Sequence, residues 1–327
     1  MTAPPLPSRW RRPKPHQVLF YGLYRAGMFV VDRLPVGAVF AIARGAGLLG
    51  WLLDRRRRSV AERNLRQAFP TAGEGEIARL VRSSFRFVAE AAAESLCLPR
   101  LARRGAEEVR ARCAVDGLEK LEEIRARGRG GLFVSGHLGS FEFLGAAMGL
   151  FGLPLHTVSR PLKNPLIARH VAKGREAWGQ FLVPKRGALR WILPALRSGG
   201  NAAFLLDQNE RKRPLFLPVF GRLAACDRSV AALALRLRLP VVIGYAVRTG
   251  RALRFRIVIE EAILPGEESE EASLARRIQS ALERMILRNP DRYLWLHDRY
   301  RTRPPAERDP SEPAFADAGA AVGGGSR

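Results

Sequence analysis

The sequence predicts an α/β fold: a mostly parallel central sheet flanked by helices, with a membrane-associated helical region at its N-terminal side. Three observations carry that expectation. Beyond about residue 128, short β-rich runs alternate with helix-like segments. Three of those runs end on a polar side chain. Two long apolar stretches lie upstream and are followed by four consecutive arginines, Arg55–Arg58.

Residues 1–15 begin with a Pro- and Arg-rich segment and are expected to be flexible. Residues 16–58 form the expected membrane-associated region. It holds QVLFYGLYRAGMFVV (17–31), PVGAVFAIARGAGLLGWLL (35–53) and then DRRRR. The second stretch approaches the ~20 residues that cross a bilayer, but Arg44 stands in its middle. Pro35 and the charges argue against two full spans. No A-x-A-like cleavage site follows a short apolar run, so a secretory leader is not expected. The pattern fits a helical hairpin in or on the inner leaflet, with Arg55–Arg58 at the cytoplasmic lipid surface. A pair of buried helices in a soluble protein is the alternative.

The remainder, 59–303, reads as one α/β domain. Residues 76–96 place Ile77, Leu80, Val81, Phe85 and Val88 roughly on one helical face. Residues 117–127 form a second amphipathic segment that ends at Gly128. The β-like runs are GLFVS (131–135), LHTVS (155–159), AAFLL (202–206), VVIGYAV (241–247) and LRFRIVIEE (253–261). A charged helix is expected at about 270–288. The tail, 304–327, lacks a periodic apolar face and is expected to be disordered.

The formal net charge is +24, which points to an anionic partner: nucleic acid, an anionic membrane or a phosphorylated substrate. Cys97, Cys113 and Cys226 are far apart and odd in number, so neither a disulfide framework nor a metal site is expected.

GLFVSG leads to His137, LHTVS to Arg160, and AAFLL to Asp207. If the three strands are parallel, these groups leave the sheet at carboxyl ends, where open α/β sheets place ligand sites. Within HLGSFE, five residues of continuous helix turn ~140°, which would face His137 away from Glu142. The two approach only if His137 lies in the turn before the helix and Glu142 lies inside it; Gly136 and Gly139 permit that turn. A carboxylate beside His fixes the tautomer and supports the imidazolium, which is general-base chemistry. Ser135 and Ser140 are near, but SGHLGS is not the elbow of a serine hydrolase. No phosphate-cradling loop or zinc-helix motif is present, so a substrate hydroxyl is the expected nucleophile.

Several motifs in order resemble the lipid A biosynthesis (late) acyltransferase family, within the lysophospholipid acyltransferase-like superfamily. They are RRRRSVAERNLRQAFP, the approach to HLGSFE, SRPLKNPLIARHV, LLDQNERKRPLFLPVFG and RYLWLHDRYRTRP. Ser140 and Phe141 stand where relatives often have Asn and Trp, and Cys226 and Asp227 where Thr and small residues are common.

The resemblance implies acyl transfer from acyl carrier protein or acyl-CoA to a hydroxyl of a lipid A precursor or related glycolipid. It implies His137 as base and Glu142 as the partner that orients its ring. Arg160, Asn164, Asp207 and Asn209 are the expected substrate-binding group, with Asp207 fixing Arg160. No metal or cofactor is called for. The expected partners are the thioester donor, the glycolipid and an anionic membrane surface, at the cytoplasmic face of the inner membrane. The alternatives are another acceptor, such as a mannosylated phosphoinositide, an inactive membrane scaffold, or a basic nucleic-acid-binding protein. The last lacks the interleaved aromatic residues and binding motif it requires.

Overall fold

The computed structural model describes residues 13–250 and 253–305. Most of the expected flexible N-terminus and of the tail therefore lies outside the described residues. The N-terminal helices are α1 (Pro15–Arg33), α2 (Val36–Leu53), α3 (Arg55–Ala68) and α4 (Glu74–Ala102). Pro35 stands between α1 and α2, and the Asp54 carboxylate begins α3 by accepting from the Arg57 backbone N–H. The boundary expected at residue 58 falls inside α3.

The α/β portion follows in chain order. It contains α5 (Ala106–Ala111), β1 (Cys113–Asp116), α6 (Leu118–Ala126), β2 (Leu132–Ser135) and α7 (Phe141–Leu150). Next come β3 (Leu155–Ser159), α8 (Pro165–Glu176), β4 (Gln180–Pro184), α9 (Leu189–Arg197) and β5 (Asn201–Leu205). A two-stranded ribbon, β6 (Leu215–Val219) and β7 (Arg222–Cys226), precedes α10 (Ser229–Leu237). The chain closes with β8 (Val241–Thr249), β9 (Arg254–Ile263) and α11 (Glu271–Arg288).

The main sheet has the order β1-β9-β8-β2-β5-β3-β4. Its pairings are parallel except for the antiparallel β8–β9 hairpin. The mostly parallel sheet expected from the sequence is therefore present. Both faces are covered, which is why β2 reads as a continuous apolar run. Leu132 and Val134 enter the layer built with α3, α9, α10 and α11, whereas Phe133 enters the layer built with α2, α6 and α7. The α4 helix contributes to both layers: Ile77, Leu80 and Phe85 to the first, Ala93 and Leu98 to the second.

The register positions the site. Ser135 of β2 pairs with Leu205 of β5, so His137 and Asp207 each stand two residues beyond a matched pair. Residues 70 positions apart thus leave the sheet side by side.

Helix α2 lies close along α4. A Cβ at Gly47 would meet the Arg86 Cα at 2.9 Å and the Phe85 carbonyl oxygen at 3.0 Å, so only glycine permits this approach. Val39, Phe40, Ala43 and Gly47 form the buried stripe of α2. Its opposite face leaves Ile42, Leu48, Leu49, Leu52 and Leu53 exposed, and α1 exposes Leu19, Phe20 and Leu23. Among the described residues, α2 alone is long and apolar enough to cross a membrane, with 18 residues and a mean hydropathy of 1.7. Arg44, the charge within it, reaches Glu90 of α4 at 3.4 Å.

Candidate active site

The loop after β2 carries His137 and is tied down residue by residue. Gly139 adopts φ +56°, and a Cβ there would lie 2.1 Å from the Ala246 carbonyl oxygen. No other residue type fits that position. The Gly139 N–H donates to the Arg292 carbonyl at 2.8 Å, and the Ser140 N–H to the Ala246 carbonyl at 2.7 Å. The His137 carbonyl accepts from the Leu294 N–H at 3.2 Å. Beneath the loop, the Ser140 hydroxyl donates at 2.8 Å to Glu94, a carboxylate only 4% exposed. As the spacing required, His137 precedes the helix and Glu142 lies in the first turn of α7.

The ring has a different partner from the one expected. His137 Nδ1 lies 2.9 Å from Asp207 Oδ1, and its backbone N–H donates to Asp207 Oδ2, also at 2.9 Å. Glu142 instead forms an ion pair with Arg175 of α8. Arg175 continues to Gln180 Oε1 at 3.4 Å, and Gln180 donates to the Thr157 hydroxyl at 3.1 Å. This polar row fixes Glu142 while Asp207 orients the imidazole.

Burial pulls the pKa of His137 down, but the charge and hydrogen bond of Asp207, with a further contribution from Glu142, leave it above its ordinary value. Burial pushes the Asp207 pKa up, and His137 together with the backbone N–H bonds outweighs this, leaving it below the usual carboxylate range. Both directions describe one strong His–carboxylate pair. An Asp207 carboxylate accepting at Nδ1 leaves Nε2 as the free acceptor. Against Nε2, at 3.3 Å, lies the side-chain nitrogen of Gln208.

His137 stands on a cavity of about 490 Å³. Its apolar walls include Phe133, Leu144, Met148, Leu155, Val242 and Ile259, from four strands and α7, while Arg160 contributes a cation beyond β3 and Lys185, beyond β4, is paired with Glu210 at 2.9 Å. Ser135 also lines it, with its buried hydroxyl lacking a hydrogen-bond partner among the described residues.

The other expected residues divide. Arg160 lines the cavity but is exposed and does not pair with Asp207, whose carboxylate is already held by His137. The two sit on neighbouring strands, yet β2 supplies the nearer partner. Asn209 lines the cavity, but its side chain is occupied by Thr302, through Nδ2 to the hydroxyl at 2.9 Å and from the backbone N–H at 3.0 Å. Asn164 is not among the lining residues. It caps α8 by accepting from the Leu166 N–H, and it holds α1 through the Gln17 carbonyl at 2.8 Å. The sequence reading did not single out Gln208 or Arg175. The place of Gln208 directly after Asp207, at a strand's carboxyl end, was the available signal.

The model of the bacterial lipid A biosynthesis acyltransferase family matches residues 8–302. The chain belongs to that family. This acyltransferase is 28% identical over 278 residues to the lipid A biosynthesis palmitoleoyltransferase of Escherichia coli, covering 84% of this chain and 89% of that one. It is 27% identical over 291 residues to the lauroyltransferase of the same organism, covering 85% and 90%. The myristoyltransferase of that organism is 25% identical over 270 residues, covering 82% and 81%.

The ordered motifs of the acyltransferase meet around the loop after β5. Asn64 of RNLRQAFP donates to the carbonyls of Trp295 and His297, at 2.8 and 2.7 Å. His297 Nε2 accepts from the Asn209 N–H at 2.9 Å. Arg299, 5% exposed, donates to the Gln208 carbonyl at 3.1 Å and to the Ala225 carbonyl at 2.8 Å. Trp295, 1% exposed, donates its indole N–H to the Pro290 carbonyl and completes the core. The C-terminal WLHDR thus supports the loop that carries Asp207 and Gln208.

Proposed function

We propose that this acyltransferase moves a fatty acyl chain from an acyl thioester, on carrier protein or coenzyme A, to a hydroxyl of a lipid A precursor or related glycolipid. The single observation that carries this reading is His137, oriented by Asp207, at an apolar cavity large enough for a ligand. The acceptor hydroxyl meets His137 Nε2, and its proton moves to that nitrogen as oxygen attacks the thioester carbonyl. Asp207 keeps the ring in the reactive tautomer and stabilises the imidazolium. Collapse of the adduct expels the thiolate, which takes the proton back from Nε2. The acceptor is its own nucleophile, so no acyl-enzyme is required. Glu142 holds Arg175 in the cavity wall and adds negative field at the imidazolium.

The apolar cavity suits the acyl chain, and Arg160 suits an anionic part of donor or acceptor. The relatives' names share lipid A and differ in the chain transferred, which supports the acceptor and leaves chain length to the cavity wall. The exposed apolar faces of α1 and α2, beside Arg55–Arg58, support a position on the cytoplasmic face of the inner membrane. The test is acyl transfer by the purified full-length protein: a product one acyl chain heavier than the glycolipid, lost on His137→Ala, is expected. Transfer to a mannosylated phosphoinositide and not to the lipid A precursor would reassign the acceptor.

A further inference from the structure

We propose that Gln208 is a second catalytic group: its side-chain amide covers His137 Nε2 until the acceptor hydroxyl displaces it, and then donates to the thioester oxygen as charge develops there. The inference rests on His137 being the base, as proposed above.

The starting point is one contact. Gln208 Nε2 lies 3.3 Å from His137 Nε2, on the ring nitrogen that Asp207 leaves free. With the ring proton on Nδ1, the only group that can bond at Nε2 is a donor, so the amide presents N–H. That is the place a substrate hydroxyl must take. Gln208 also lines the cavity, so the displaced amide remains beside the reacting atoms.

The loop that carries Gln208 is held at three successive residues, Asp207 through its side chain and the next two through backbone groups. Asp207 is held by His137, the Gln208 carbonyl by Arg299 at 3.1 Å, and the Asn209 N–H by His297 at 2.9 Å. The side chain is half-buried, and its amide meets His137 Nε2 at the long distance of 3.3 Å. A short swing of a pre-aimed donor costs little reorganisation, as transition-state stabilisation requires.

Proton transfer coordinates the exchange. When the acceptor O–H bond breaks, its proton arrives at Nε2 and turns that nitrogen from acceptor to donor. The displaced amide N–H then cannot return to the ring. At the same moment the new C–O bond forms and the carbonyl pair moves onto oxygen, which becomes the better acceptor. As the carbonyl re-forms, the C–S bond breaks and the thiolate leaves with the proton from Nε2.

The groups acting on the imidazole are Asp207 beyond β5, Glu142 on α7 and His297 in the C-terminal segment. All remain when only Gln208 is changed. An N–H donor on Nε2 favours neutral imidazole, so its removal should raise the pH at which His137 becomes a base.

The experiment uses full-length protein, an acyl carrier protein thioester and a lipid A precursor. Gln208→Met and Gln208→Ala are each expected to lower kcat by about 10²–10³-fold, the effect of losing one oxyanion donor, with kcat/KM falling equally and KM unchanged. In both, the acid limb of kcat/KM should move to higher pH, and Gln208→Glu should move it further. Normal kcat, or an unmoved acid limb in folded Gln208→Met, overturns the proposal. So does a lower Tm with turnover per folded molecule intact. His137→Ala is run alongside: if it retains turnover, the base assignment itself fails, whereas its loss together with a normal Gln208→Met overturns only the role of Gln208.

Discussion

Asp207 grips His137 at two points, one carboxylate oxygen on ring Nδ1 and the other on the backbone N–H, each at 2.9 Å. One buried side chain therefore fixes both the ring tautomer and the main chain that carries it. Glu142, closer in sequence, is held by Arg175 instead.

That difference ranks two variants. Asp207→Asn places an amide donor at Nδ1 and favours the tautomer with its proton on Nε2, where it cannot act as a base. The expected loss is about 10³–10⁴-fold in kcat, as for a comparable tautomer reversal in a catalytic triad. Asp207 holds the His137 pKa above its ordinary value, and the base must be neutral to act, so Asp207→Asn should also move the acid limb of kcat/KM to lower pH. Glu142→Gln should cost less and move the limb less. Steady-state kinetics across pH on both variants decides it; a larger limb shift in Glu142→Gln would return the orienting role to Glu142.

Much of this arrangement was legible in the sequence. The five β-like runs overlap β2, β3, β5, β8 and β9, because each couples an apolar run to a turn signal. Strands β1, β4, β6 and β7 escaped notice: CAVD ends on an acid and alternates half-buried with exposed positions, QFLVP and LFLPV each carry a proline, and RLAAC opens on an exposed arginine. The shared strand edge of His137, Arg160 and Asp207 was readable, because strand ends can be seen locally. Their partners were not, because partners depend on strand order. β5 lies between β2 and β3, so Asp207 borders both His137 and Arg160, and register settles the choice. Asn164 reads as a binding residue in SRPLKNP, yet Asn before Pro also starts helices, and that is how α8 uses it.

Glu94 carries a pH signature. Burial pushes its carboxyl up to about 7, although the Ser140 hydroxyl and Arg248 pull the other way. The folded protein thus holds a proton that the unfolded chain releases near the ordinary value of 4.5. The stability from this group is present below that ordinary value and is lost as pH rises through about 7. Glu94→Gln, which keeps a hydrogen-bonding side chain under the loop without the charge, should remove that slope. Tm measured at several pH values should show the parent gaining on the variant as pH falls from about 8 to about 5.5. Parallel Tm curves would contradict the assignment.

The outer face of α2 makes a prediction about location. Leu49 and Leu52 are 55% and 52% exposed and belong to neither core cluster. Leu49→Glu with Leu52→Glu should leave the fold intact and move protein from membranes to the soluble fraction. Charges in an apolar helix oppose insertion by up to ~3 kcal/mol each at mid-bilayer depth. The same change at Leu118, exposed at the start of α6, should leave the distribution unchanged. Equal distribution of the α2 variant and the parent would remove this face from membrane binding.

The most direct measurement is the mass of the lipid product. Full-length enzyme is mixed with an acyl carrier protein thioester and a lipid A precursor that has a free hydroxyl, and the lipids are analysed by mass spectrometry. A product heavier by one acyl chain is expected, formed at a rate that falls by about 10²–10⁴-fold in folded His137→Ala. An unchanged precursor mass with the parent enzyme, or the same product at a near-normal rate with His137→Ala, would contradict it.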